Sequence, residues 1–217
     1  VTLPQSGILA RGPWEVDAVE AHWQDEPYDP GLEATAAADA AITALLDRGS
    51  PAHDGIGARL VGHTPTPTGL RMEIQPIRWA LRLVSENASQ SIAALCVTRS
   101  ADGRWLAGRR SPWLSTWAGR WALGAGGAVD AGENPVDTLV RELREEWSVT
   151  PERVTAEALL CLPHQLVMFV GMAWLPDGAE VVPDDEHDAH AWWPADIGRW
   201  PEDAHDALRR MASILAA

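Results

Sequence analysis

The chain has 217 residues, 46% hydrophobic and 22% charged, a globular composition with enough length to bury a core without disulfide staples. Its 31 acidic residues outweigh 17 basic ones, giving a net charge of −14. That balance excludes duplex nucleic acid or an anionic membrane as the principal partner, because phosphate recognition needs a positive surface. A small anionic substrate stays open, since a bound divalent cation reverses the sign of the field locally.

The N-terminal stretch VTLPQSGILARGPW has no basic segment followed by an apolar run, so it does not read as a secretion signal. Residues 1–30, rich in Pro, Trp and acid, read as an irregular arm. The Ala-rich run 31–48 reads as a helix closed by Gly49. From Ala58 the pattern turns to alternation. Leu70, Met72 and Ile74 share one parity, and Ile77, Trp79, Leu81 and Leu83 the other, which predicts a hairpin whose face shifts at Pro76. The polar break SENASQ (85–90) is the expected domain boundary, separating a small α+β N-terminal region (1–88) from a second domain (89–217).

Beyond the break, SIAALCVTR reads as a buried strand, SADG as a turn and RWLAGRR as the hairpin partner. A tryptophan-rich loop leads into the glycine-rich RWALGAGGAVDAGE and then an acidic helix. VTAEALLCLPH, HQLVMFVGMAWL and the short AHAWWPADI read as further strands, and PEDAHDALRRMASILAA as a helix with Pro201 in its first turn. Helices and strands mix without regular βαβ alternation, so the expected class is α+β. LVMFVGMAWL (166–175) is too short to span a bilayer. Cys96 and Cys161 lie in apolar stretches and read as buried free thiols of a reducing compartment. The expected location is cytoplasmic.

Twelve tryptophans stand against one tyrosine and one phenylalanine, so Trp takes over most aromatic core packing. Trp105, Trp113, Trp117 and Trp121 crowd the approach to the acidic helix. Stacking on a base or sugar and plain packing are both open there.

The chemistry concentrates in Gly127, five residues, Glu133, seven residues, then RELREEWSV (141–149). On a helix Val136, Leu139, Leu143 and Trp147 fall on one side, while Glu142, Glu145 and Glu146 form an adjoining stripe. Carboxylates so close repel, and a hard divalent cation removes the conflict. Oxygen-only donors favour Mg²⁺ or Mn²⁺ over zinc. Arg141 can pair with Glu145 one turn on or reach back to Glu133.

This spaced pattern resembles the Nudix hydrolase box, G-x5-E-x7-R-E-U-x-E-E-x-G-U with U apolar. It departs at one fixed position, where Ser148 replaces glycine. The likeness in detail covers about 95–200 and says little about residues 1–85. It implies an α/β/α sandwich with a mixed sheet, and Mg²⁺-dependent hydrolysis of a diphosphate in a nucleoside diphosphate joined to a group X, leaning to nucleotide sugars or ADP-ribose. A triphosphate-sanitising hydrolase and a non-catalytic nucleotide-binding module are the alternatives. The resemblance makes Glu142, Glu145 and Glu146 metal ligands with the Gly127 backbone, Glu133 and Arg141 supporting groups, and Glu142, Glu145 or Glu186 the catalytic carboxylates, Asp185 and Asp188 being alternatives to Glu186. Arg109, Arg110, Trp117 and Trp121 are the substrate contacts expected, and residues 1–88 offer substrate contacts or a homodimer interface.

Overall fold

The computed structural model describes residue 4 and residues 6–49, 54–114 and 116–216. Parts of the expected N-terminal arm (residues 1–3 and 5), Ser115 of the tryptophan-rich loop and Ala217 of the last helix lie outside the described residues. The strands are β1 (Gly7–Glu15), β2 (Val19–Trp23), β3 (Ile56–Pro65), β4 (Leu70–Arg78), β5 (Ile92–Arg99), β6 (Trp105–Arg110), β7 (Trp121–Leu123), β8 (Ala125–Ala128), β9 (Arg153–Leu162), β10 (Leu166–Trp174) and β11 (His187–Trp193). The helices are α1 (Gly31–Asp47), α2 (Pro135–Trp147) and α3 (Asp206–Leu215). One sheet runs β1-β9-β10-β5-β6-β11, with β7 on β6 and β8 on β5, and a second runs β2-β4-β3. Mixed sheets with few helices make this the expected α+β class.

The chain forms two compact units interleaved along the sequence. The first comprises Val1–Ala94, Gly127–Thr138 and Ala156–Val170. In it β3 and β4 form the expected antiparallel hairpin, with Leu60 opposite Ile74 and Ala58 opposite Pro76. Pro76 stays inside β4 because β2 pairs only with Leu70 to Ile74. Beyond Ile74 that side faces Tyr28, whose N–H donates to Pro76 O at 2.8 Å, and the missing proline N–H costs no bond to β2. Ala38, Ile42 and Leu45 of α1 bury against Ile77, Ala80 and Leu81.

Two expectations are corrected here. Residues 7–23 of the supposed irregular arm form β1 and β2, their burial confined to scattered positions such as Ala10, Trp14 and Val19. Residues 79–83, read as continuing strand, form a 3₁₀ turn. Consecutive Ala80 and Leu81 are both buried against α1, which strand alternation would not allow.

The second unit comprises Leu95–Gly126, Leu139–Thr155 and Gly171–Ala217. Its centre is β6, flanked by β11 and β7. Alternation along β6 sorts two faces. Gly108 lies against Trp147 of α2 and His187, and Arg110 shares that face. Trp105 and Arg109 point the other way. Cross-strand partners Trp193 and Trp121 follow them; Trp200 meets Trp105 edge to face at 5.7 Å and tilts at 52° onto Trp193 at 4.9 Å. The unit is therefore layered, with α2 on one face and the turn at Trp200 on the other. α3 begins at Asp206, capped by His205 Nδ1 accepting from Ala207 N–H at 3.1 Å. Pro201 lies ahead of the helix rather than in its first turn, because the cap fixes the start.

Candidate active site

The stripe of α2 expected to be apolar is buried: Val136, Leu139, Leu143 and Trp147 all lie in the core. Their burial draws the neighbouring carboxylates inward unequally. Glu142 and Glu146 are buried, while the Glu145 side chain is 57% exposed. Two hydrogen bonds latch the last turn of α2 onto the strand segment before it. Trp147 Nε1 donates to Gly124 O at 3.1 Å, and Gly126 N–H donates to Glu146 Oε1 at 2.8 Å. Gly124 has φ +66° and would drive a Cβ into the Cys96 carbonyl, so this approach requires glycine. Arg141 Nη1 donates to Glu142 Oε1 at 2.7 Å and to Glu145 Oε2 at 3.1 Å.

At its exit, α2 turns through Ser148 with φ +55°, and Ser148 N–H donates to Arg144 O at 3.1 Å. This is the left-handed C-terminal geometry usually given to glycine. The turn leaves the last carbonyls of the helix open, and the acidic segment 182–187 closes them. Val182 N–H donates to Trp147 O at 3.0 Å and Asp184 N–H to Glu146 O at 2.9 Å. Asp184 Oδ1 then accepts from Glu186 N–H at 3.0 Å and lies 3.4 Å from His187 Nδ1. Ser111 grips the same segment, its N–H donating to Glu186 O and its hydroxyl to Asp185 O.

The segment thus delivers Glu186 and His187 to the glutamates. Glu186 Oε2 accepts from Arg110 Nη2 at 3.4 Å. His187 Nε2 lies 3.7 Å from Glu146 Oε2, its ring 4.3 Å from that of Trp147. Burial pushes the Glu142 carboxyl up to about 7, opposed by Arg141. Burial raises Glu146 well above the carboxylate range, with Glu142 and Glu186 adding to the effect. Glu186 is raised by burial, then by Asp184, against Arg110. Burial lowers His187, which favours a neutral imidazole at pH 7.

Glu133 Oε2 accepts from Thr138 Oγ1 at 2.8 Å and Asp130 N–H at 3.3 Å, securing the turn that enters α2. Gly127 lies in β8, next in sequence to the Gly126 donor. Arg109, Trp117 and Trp121 do not join Arg110. Arg109 Nε pairs with Asp188 at 2.7 Å, Trp121 Nε1 donates to Asp203 Oδ2 at 3.0 Å, and the Trp117 ring meets His205 at 5.4 Å. Consecutive arginines on one strand serve opposite faces, an alternation visible in the sequence. Asp184 carried no comparable signal, because its role depends on a helix end 37 positions away.

Among the described residues, no three His, Cys, Asp or Glu side chains converge as a ready metal cage. The donors still fit a hard divalent cation. Mg²⁺ is held by one or two carboxylates and completes its shell with water and substrate phosphates. Two buried carboxylates, the charge of one raising the other, are such a pair, and a cation there would relieve the repulsion between them.

Residues 89–212 match the family model described as NUDIX domain. No curated protein matches the chain. Solved structures with likeness include a MutT protein from Methanosarcina mazei Go1, at 26% identity over 57% of this chain and 90% of that one, TM-score 0.47. Another is a C. elegans Ap4A hydrolase, at 23% identity over 57% and 92%, TM-score 0.44. A third is the NUDIX domain of Shewanella oneidensis NrtR complexed with ADP ribose, at 19% identity over 58% and 88%, TM-score 0.43.

Proposed function

The chain belongs to the NUDIX domain family, and from that premise we propose that it is a Mg²⁺-dependent pyrophosphohydrolase. Its substrate is a nucleoside diphosphate joined to a group X, of the nucleotide-sugar or ADP-ribose type. Water adds across one P–O–P linkage, and the products are two phosphate monoesters. The observation that carries this reading is the buried Glu142–Glu146 pair facing Glu186 and Arg110.

Glu142 and Glu146 would hold the cation, with the Gly127 carbonyl and the more exposed Glu145 completing the protein's share; Mn²⁺ suits the same oxygen donors. When bound, a divalent cation neutralises phosphate oxygens and acidifies a coordinated water. The remaining work belongs to side chains. Arg141 fixes the Glu142 carboxylate from one side, and Gly126 N–H fixes Glu146 from the other. Arg110, held by Thr116 O and Glu186, presents its guanidinium to a phosphate. Glu186, raised toward neutrality, suits a base that takes the proton of the attacking water.

Glu142→Gln tests this reading. Phosphate-monoester release in Mg²⁺ from a panel of nucleoside diphosphate derivatives should fall by at least about 10²-fold, with an unchanged circular dichroism spectrum. Undiminished turnover would remove Glu142 from the metal site, and no Mg²⁺-dependent turnover of any panel member by the unsubstituted protein would overturn the function itself.

A further inference from the structure

On the face of β6 away from the glutamates lies a cleft of about 310 Å³, lined by Arg109, Gly119, Arg120, Trp121, Asp203 and His205. We propose that this cleft is a sugar subsite that takes the hydroxylated group X of the substrate, an inference that rests on the diphosphate chemistry proposed above.

The polar inventory decides the ligand class. Asp203 Oδ2 accepts from Trp121 Nε1, leaving Oδ1 as an acceptor. His205 Nδ1 accepts from Ala207 N–H, so a neutral ring carries its proton on Nε2 and offers it outward. Arg109 engages Asp188 through Nε, leaving terminal N–H groups. Arg120 makes no ion pair among the described residues. The cleft therefore offers both an acceptor and donors, which matches vicinal hydroxyls that both donate and accept.

Charge separates this from a phosphate site. Two guanidiniums are balanced by Asp188 and Asp203, so the cleft has no surplus positive charge for a second anion. Ring geometry separates it from a nucleobase slot. Trp121 tilts at 56° onto Trp193 and Trp117 at 59° onto His205, so no parallel plates await a flat base. The Trp121 indole, fixed by Asp203, supplies the apolar plate against which the C–H face of a sugar packs. The volume suits one ring with several waters at ~30 Å³ each.

The link to the reaction is the strand itself. Arg109 and Arg110 are consecutive, ~3.8 Å apart at Cα, and β6 ends at Arg110. At that end of the strand the two faces adjoin, Arg110 on the glutamate side and Arg109 on the cleft side.

The test is calorimetric binding in Mg²⁺ to protein carrying Glu186→Gln, which removes the proposed base and keeps the carboxylates that would hold the cation, so that turnover is not required. ADP is compared with ADP-ribose, and UDP with UDP-glucose. At least one sugar nucleotide should bind about tenfold more tightly than its parent diphosphate. Adding Asp203→Ala, or separately Arg120→Ala, should erase that gain and leave parent binding unchanged, with thermal melting showing that each variant is folded. Equal affinity for parents and sugar nucleotides, or equal weakening of both by Asp203→Ala, would overturn the subsite. Asp203-dependent sugar binding in a protein that hydrolyses nothing would overturn only the proposed activity. Hydrolysis without a sugar gain would overturn only the subsite.

Discussion

At Ser148 the backbone holds φ +55° without the freedom of glycine, a conformation that costs an L-residue ~1–2 kcal/mol. Ser148→Gly should therefore raise the melting temperature by about 2–4 °C and leave kcat unaltered, since the residue touches no carboxylate of the site. An unchanged or lower Tm would mean the serine is not strained. Glu142 carries the opposite liability. Its folded-state value stands at about 7 against 4.5 in an ordinary setting, so the folded chain binds a proton that the unfolded chain has released. That stabilisation is complete below pH ~4.5 and lost as pH rises through about 7, and Glu146 shifts in the same direction. With metal chelated, Tm should fall between pH 5 and 8, and Glu142→Gln should shrink the fall. A flat profile in the unsubstituted protein would remove the buried charge conflict. The departure at Ser148 was legible in the sequence because positive φ follows from the resembled glycine. The unequal burial of the three glutamates was not, because one helical stripe contains all of them.

Among the elements, α2 was the most legible, its spacing setting both the apolar stripe and the carboxylates. β1 and β2 were hidden because their partners are remote: β2 gains its ladder from β4, some fifty residues on. The 3₁₀ turn at 79–83 was masked by apolar residues two apart, a spacing that a strand also produces. The segment 182–187, acidic enough to read as solvated loop, is instead tied to the open carbonyls of α2. Asp184 is its hinge pin, bonding Glu186 and His187 through one oxygen. Asp184→Ala should lower kcat at least tenfold, as misplacement of a reacting group does, while Tm falls by less than ~4 °C. A proportionate loss of stability with kcat intact would make the segment merely structural.

For the whole molecule, the first compact unit matters most. It gathers residues from both sides of position 88, including Gly127–Thr138 and Ala156–Val170. Trp23 Nε1 donates to Glu133 O, Asn134 Nδ2 donates to Val19 O, and Ala58 N–H donates to Val129 O. A chain cut to residues 89–217 would strip these partners from the entry to α2. It should melt at least ~10 °C lower or fail to fold, and a cooperative transition at the original temperature would establish 89–217 as an independent domain.

The tryptophans carry a consequence of another kind. Trp105, Trp200, Trp193 and Trp121 form a chain with successive centroids 5.7, 4.9 and 5.6 Å apart. Indoles this close share their electronic excitation, so the four absorb as a coupled array with a paired circular dichroism band in the far ultraviolet. One end of the array is fully buried, and the other is bonded to Asp203 on the cleft wall. The protein thus has a built-in optical line from its interior to the cleft, readable without an added label.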